Sequence, residues 1–287
     1  MAAALVVIIL LVVVFGGGSG DRKDAGSCLT DLMAHIPEES RLVYGTDLVQ
    51  ARDAGYQDGG TLEELGDSQA ATGALPDALT AEFRFSLLLS DEAFAARTGV
   101  SSDQIDCSLS DLRRSVLSGS FDVAEVDGST VGDDGHLAAT EELAALTTGD
   151  SDPKKLLEER DGGGLAGNDG AKAVLESLRD QGAYTVLVQA GNPDAEKRAR
   201  AAGLGVAEGT DDDRALVVAW SFADDDAAKA GRGDVVERVN DVLAGTTSIS
   251  TDDLTVEGSM VTAKLDVRKA PQLRSVLERP QLLIPRG

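Results

Sequence analysis

The stretch AKAVLESLRDQGAYTVLVQ, residues 171–189, shows the local pattern of this chain most clearly. Residues 171–179 carry apolar side chains at helical spacing, whereas residues 183–189 form an apolar run rich in the residue types that strands prefer. The stretch therefore predicts a helix followed by a strand, and a similar succession of elements continues towards the C-terminus.

Further elements follow from the same kinds of pattern. We predict strands over 41–47, 114–122 and 214–222, with a helix that begins at Asp47. We also predict helices over 137–146, 193–202 and 223–243, and a hairpin of strands 254–257 and 260–267 closed by Gly258-Ser259. Residues 161–170 are rich in glycine and are predicted to form a flexible loop. This order of elements favours an α+β fold with mostly antiparallel sheets and helices on one face.

The length of 287 residues allows one large core or two smaller ones. We favour two ferredoxin-like α/β sandwich units, although no residue-level repeat supports them. The predicted organisation is an apolar anchor or signal segment over 1–18, a flexible tether with a short helix over 19–36, a first α+β unit over 37–150 and a second over 151–287.

The N-terminal segment AAALVVIILLVVVF, residues 2–15, is unbroken apolar sequence. As a helix it would be roughly 21 Å long, which is short for a hydrocarbon core of about 30 Å. A signal peptide would carry a basic residue before this run, and none precedes Ala2 in this sequence. One interpretation is that Met1 is a misplaced start and that basic residues lie upstream; the other is a plain membrane anchor. The sequence leaves a transmembrane anchor and a signal peptide both open. We favour a location of the remaining chain outside the cytoplasm, because a soluble domain behind an N-terminal apolar segment is usually translocated.

Cys28 and Cys107 are the two cysteines of the chain. In an oxidising compartment they could form one disulfide, and the alternative is two unpaired thiols. Small residues precede Cys28, as they do at a lipidation site. However, the charged residues 21–24 separate Cys28 from the apolar run, which argues against acylation.

Composition excludes several classes of function. The formal net charge is −24, so phosphate backbones and anionic lipid headgroups would be repelled. Residues 162–167, GGGLAG, match the glycine spacing of a dinucleotide site. They follow a charged helical stretch rather than a strand, so no nucleotide or other cofactor is expected.

Candidates for catalysis are few. The chain has two histidines, His35 and His136. His136 lies beside Asp133 and Asp134, and these three residues form the best candidate for a divalent cation site. They lack the spaced ligands of a calcium loop. No sequence around a serine has the form of a nucleophile elbow.

Three short motifs suggest a resemblance: LVYGTDL at 42–48, Gly99-Val100 with Ile105-Asp106, and VLSGSFD at 116–122. With the apolar N-terminus, these resemble uncharacterised membrane-anchored or lipoprotein-like extracytoplasmic proteins of actinobacteria. The resemblance implies a location in the cell envelope and brings no activity or catalytic residue with it.

The sequence thus predicts a non-enzymatic envelope protein that is attached to the cell membrane by its N-terminal segment. Its ectodomain would bind an envelope protein or a small ligand, and no nucleic acid. The alternative is an extracytoplasmic hydrolase or cation-dependent enzyme that uses acidic residues, with Asp133, Asp134 and His136 as its site.

Overall fold

The computed structural model describes residues 28–53, 96, 98–111, 113–131, 135–158, 161–191, 198–208, 214–242 and 249–267. The α-helices of this part of the chain are α1 Cys28–Leu32, α2 Leu48–Asp53, α3 Val123–Val126, α4 Lys154–Leu157, α5 Asp169–Asp180 and α6 Asp225–Val242. The described residues also form three 3-10 helices, Ser102–Gln104, Asp161–Gly167 and Thr251–Asp253.

Eleven strands occur within the described residues: β1 Leu42–Asp47, β2 Ile105–Ser110, β3 Arg114–Gly119, β4 Thr130–Val131, β5 Gly135–Ala139, β6 Leu143–Thr148, β7 Ala183–Ala190, β8 Ala201–Glu208, β9 Arg214–Ser221, β10 Thr255–Glu257 and β11 Met260–Val267. They form one sheet in the order β10-β11-β9-β8-β7-β1-β2-β3-β6-β5-β4. Every pairing in it is antiparallel. The α+β class with an antiparallel sheet is therefore confirmed.

The sheet continues without a break across the predicted boundary between residues 150 and 151. Strands β1 and β7 join the two halves, with Tyr44 opposite Leu187 and Val43 opposite Val188. The described residues of the two predicted units therefore contribute strands to a single sheet.

Helices pack on both faces of this sheet, whereas the sequence predicted them on one face. In β9, Val217 shares a core cluster with Val174 of α5, while its neighbour Val218 shares another with Val235 of α6. Successive side chains of a strand point to opposite faces, so α5 and α6 lie on opposite sides. We call these sides the α5 face and the α6 face.

The first half of the sheet is covered in the same way. Leu29 of α1 belongs to the α5-face cluster together with Val116 of β3. The next residue of β3, Leu117, packs with Val126 of α3 on the other face. Helix α1 thus lies on the α5 face and α3 on the α6 face.

The two halves share one topology. The second half contains α5-β7-β8-β9-α6-β10-β11. The first half contains the corresponding succession α1-β1-β2-β3-α3-β5-β6, with α2 added after β1 and β4 added before β5. The corresponding strands lie in corresponding positions on either side of the antiparallel β1–β7 pair. The fold is thus an internal repeat related by an approximate two-fold axis at that pair, although no repeat was detectable from the residues.

Several local predictions agree with the structure. The strands predicted at 41–47, 114–122, 183–189 and 214–222 are confirmed as β1, β3, β7 and β9, and the C-terminal hairpin is confirmed as β10–β11. The helix predicted over 223–243 is confirmed as α6.

Two predicted helices are wrong where the structure describes them. Residues 137–146 form most of the hairpin β5–β6, with Ala138 opposite Ala145. Residues Ala201 and Ala202, predicted as the end of a helix, begin β8. Alanine favours helices when it is exposed, but here its small side chain fills positions in a sheet that is buried on both faces.

Candidate functional site at the tether junction

The first described residue of the chain, Cys28, is joined by a disulfide to Cys107 in β2. Their Cα atoms are 6.3 Å apart and 79 residues separate them along the sequence. The Ser118 hydroxyl of β3 lies 2.9 Å from the Cys28 sulfur, to which it can donate. Cys107 is 2% exposed, whereas Cys28 is half-buried. The disulfide therefore fixes the segment that follows the predicted tether directly to the sheet.

Helix α1 holds Cys28 over β2 through its apolar side. Leu29, Leu32 and Met33, followed by Ile36, are each at most 1% exposed and lie in the α5-face core. Their spacing of three and four residues puts them on one side of the turn. This apolar side faces the sheet and α5.

Asp47 lies at the end of β1, directly opposite Cys107 of β2. Its Oδ1 accepts a hydrogen bond of 2.9 Å from the backbone N–H of Gln50, in the first turn of α2. The side chain therefore caps α2, as the sequence pattern predicted for a helix beginning at this residue. Asp47 is 3% exposed.

Burial raises the pKa of the Asp47 carboxyl above its ordinary value. The N–H groups of Gln50 and Val49 and the positive charge of Arg179 oppose this rise, and the charge of Asp106 adds to it. The loss of hydration exceeds the sum of the opposing effects. Asp47 is thus a buried acid that gains a proton more readily than an exposed aspartate.

Arg179 connects α5 to α1. Its guanidinium donates a hydrogen bond of 3.4 Å to the Thr30 hydroxyl, from the last turn of α5. A cation in the last turn also suits the negative end of the helix dipole. The tether junction is defined by these residues: Cys28, Thr30, Asp47, Cys107, Ser118 and Arg179.

The chemistry available at the tether junction is thiol–disulfide exchange and titration of one carboxyl. Within the described ranges, no group of three His, Cys, Asp or Glu residues is placed to hold a metal ion. The disulfide attaches α1 to β2, and the hydrogen bond from Arg179 to Thr30 attaches α1 to α5.

The residues predicted to bind a cation are partly outside the described ranges. Asp133 and Asp134 lie in the gap at 132–134, so their position relative to His136 is not described. His136 is exposed on β5, opposite Thr130 of β4 and Thr147 of β6. The cation site stays a prediction.

The other histidine has a structural position. His35 is 7% exposed, and its Nδ1 lies 2.8 Å from the carbonyl oxygen of Leu156 in α4. It links the turn after α1 to the segment that follows the sheet of the first half.

Acylation of Cys28 requires the sulfur that is bonded to Cys107 in this structure. One sulfur atom cannot form a thioether to lipid and a disulfide at the same time. The disulfide therefore argues against lipidation, as the charged residues before Cys28 also do.

The glycine-rich segment is packed, contrary to the flexible loop predicted for residues 161–170. Asp161–Gly167 is a 3-10 helix, and the N–H of Leu165 donates a 2.8 Å hydrogen bond to the carbonyl of Ile36. A Cβ at Gly164 would lie 2.5 Å from that same carbonyl oxygen. Glycine is needed there because the backbone of the turn after α1 approaches so closely.

Sequence reasoning identified Cys28 and Cys107 and gave Asp47 as a helix start, but it missed Ser118 and Arg179. Arg179 carried a weak signal as a cation in the last turn of a predicted helix. Ser118 carried none, because its contact with Cys28 depends on which strands pair.

Two comparisons found no match: no protein-family model and no curated protein is similar to this chain. The chain is similar to two solved structures of TP0453. Crystal form III has 10% sequence identity and a TM-score of 0.42, with 86% of this chain and 97% of that chain covered. Crystal form I has 9% identity and a TM-score of 0.41, with coverage of 88% and 97%. A likeness at this level carries no information about activity.

Among the described residues, no helix is both long enough and apolar enough to cross a bilayer. The apolar segment 2–15 lies outside the described residues, so the predicted anchor is not covered by that observation.

Proposed function

We propose that this chain is a membrane-anchored protein whose α+β domain lies outside the cytoplasm and binds an envelope partner or ligand without catalysing a reaction. The observation that carries the proposal is the disulfide between Cys28 and Cys107. Disulfides persist in oxidising compartments and are rare in the cytoplasm, where thiols are kept reduced. An apolar N-terminal segment followed by a disulfide-bonded domain fits export across the cell membrane.

The position of the disulfide supports the role of residues 19–27 as a tether. Cys28 is eight residues beyond Gly20, the last residue of the run Gly16-Gly17-Gly18-Ser19-Gly20. A covalent bond at the point where the folded domain begins would keep the tether from unravelling that domain.

Charge restricts the partner. At −24 the domain repels nucleic acid and anionic headgroups, so the expected partner has a neutral or cationic contact surface. Salt should weaken the encounter with a cationic partner, because charges that are more than a Debye length of about 10 Å apart are screened at 0.1 M ionic strength.

Fractionation of the native cells followed by intact-mass analysis tests the proposal. We expect the protein in the membrane fraction, with an uncleaved N-terminal segment and a mass about 2 Da below the fully reduced value, because disulfide formation removes two hydrogens. Labelling with a membrane-impermeant amine reagent on intact cells should modify the domain. A cytoplasmic protein with two free thiols, or a lipid adduct on Cys28, would contradict the proposal.

A further inference from the structure

We propose that the Cys28–Cys107 disulfide is a redox-operated clasp. When oxidised, it holds α1 in the core on the α5 face. Its reduction releases α1 and the chain before it, while the eleven-stranded sheet of the described residues stays folded. This inference concerns the conformation of the domain and does not depend on the location proposed above.

Comparison of the two halves shows why the disulfide matters. Helix α5 and helix α1 occupy corresponding positions on the same face, but α5 has 12 residues and α1 has 5. Helix α5 lies close against β8, where a Cβ on Gly203 would be 2.6 Å from Val174. The corresponding connection between α1 and β2 is the disulfide. The short helix α1 is therefore attached to its strand by a covalent bond, whereas the longer helix α5 is attached to the sheet by packing along its length.

The backbone hydrogen bonds of residues 33–35, which follow α1, are made within the segment itself. The N–H groups of Met33, Ala34 and His35 donate to carbonyls three residues earlier, so these hydrogen bonds are local. A helix of so few residues is not stable without tertiary contacts, because nucleation of a helix is costly. What holds it in place besides the disulfide is the burial of its apolar side and the hydrogen bond from Arg179 to Thr30.

We expect the segment released by reduction to end before strand β1. The carbonyl of Ile36 accepts the N–H of Leu165, and His35 contacts the carbonyl of Leu156. Strand β1 then pairs on one side with β2 and on the other with β7. These long-range contacts define a boundary near residue 35, so the mobile part would be residues 28–34.

The chemistry is two-electron thiol–disulfide exchange with a dithiol reductant. The thiolate of the reductant attacks the Cys28 sulfur, which is the more exposed of the two, and Cys107 leaves as a thiolate that takes up a proton. The second thiol of the reductant resolves the mixed disulfide and frees the Cys28 thiol. The products are two protein thiols and the disulfide of the reductant.

Hydrogen–deuterium exchange with mass spectrometry on the full chain tests the clasp, with the oxidised protein compared before and after dithiothreitol. We expect exchange in residues 28–34 to rise by at least about tenfold while β1, β7 and α5 keep their protection, because local opening needs less free energy than global unfolding. Thiol counting should show that both cysteines are reduced.

The double variant Cys28→Ser/Cys107→Ser provides a second measurement that does not require reductant. It should exchange in residues 28–34 as the reduced protein does, and dithiothreitol should have no further effect on it. Ser118→Ala is the matched control, because it removes the hydroxyl beside Cys28 and leaves the covalent bond in place. If residues 28–34 stay protected after reduction, or if the sheet loses protection at the same time, the clasp is wrong.

Discussion

Cys107 and Asp47 face each other across the antiparallel pair of β2 and β1. A buried carboxyl therefore lies one strand away from the disulfide that attaches α1, and it also caps α2. Two helices of the first half are therefore held near the end of β1: α1 by the disulfide and α2 by the ionisable carboxyl of Asp47.

Replacement of Asp47 by asparagine should change how stability depends on pH. Because the folded-state pKa of Asp47 is raised above 3.8, the folded protein binds this proton more tightly than the unfolded chain does. Wild-type stability contributed by this group is therefore present at low pH and falls as the pH rises from 3.8 through the folded-state pKa. Asp47→Asn removes that loss and keeps an acceptor for the Gln50 N–H. Urea unfolding at several pH values should show the variant gaining on the wild type as pH rises, and parallel curves would contradict the assignment.

Asp253 should behave in the opposite sense. Its carboxylate accepts hydrogen bonds of 2.7 and 2.9 Å from the backbone and side chain of Ser250, and these lower its pKa below 3.8. Its contribution to stability is present above the unfolded-state pKa and is lost as the pH falls through the folded-state value. The same titration on Asp253→Asn should show a variant that is less stable at neutral pH and equal to the wild type in strong acid. A variant that is more stable at neutral pH would refute this.

The packed glycine-rich segment gives a matched pair of variants. Gly163 and Gly164 both have positive φ, of 81° and 53°, but a Cβ at Gly163 would meet nothing within 4 Å. We expect Gly163→Ala to cost about 1–2 kcal/mol from backbone strain alone. Gly164→Ala should cost about 1–3 kcal/mol more, because its Cβ would press on the carbonyl oxygens of Ala34 and Ile36. Equal losses in chemical denaturation would mean that the segment is a free loop.

A second matched pair tests the close approach of α5 to β8. A Cβ at Gly203 would lie 2.6 Å from Val174, 2.9 Å from Leu178 and 3.0 Å from the Leu187 carbonyl oxygen, so Gly203→Ala should destabilise by about 1–3 kcal/mol. Gly233 in α6 has open space around it, and Gly233→Ala should stabilise by about 0.5–1 kcal/mol through helix propensity. Thermal unfolding of the two variants should therefore shift in opposite directions. A Gly203→Ala variant as stable as the wild type would show that α5 can move away from the sheet.

The elements that were predictable from sequence are those whose pattern is complete within a few residues. Strands β7 and β9 are apolar runs that contain β-branched and aromatic residues, and Gly258 lies in the turn of the β10–β11 hairpin with a φ of 55°. Strand β8 was missed because it is mostly alanine and glycine and is buried on both faces, where a strand loses the alternation of apolar and polar residues. Strand β2 does alternate apolar with polar residues, but two of its polar residues are buried serines, Ser108 and Ser110, and the sequence analysis assigned no strand there.

For the tether junction, the sequence limited the disulfide to a single possible pair, since the chain has two cysteines. It could not indicate that Ser118 would approach Cys28 or that Arg179 would reach Thr30, because these contacts join residues 90 and 149 positions apart. Such pairs form as a result of strand order.

Local composition determined the class of this protein, its antiparallel strands, its acidic surface and the apolar segment at its start, because each of these depends on neighbouring residues. The pairing of β1 with β7, the internal repeat around that pair and the burial of Asp47 depended on the three-dimensional structure. Each depends on the free energy of bringing distant segments together and of removing specific groups from water. A pattern of neighbouring residues contains no information about that free energy.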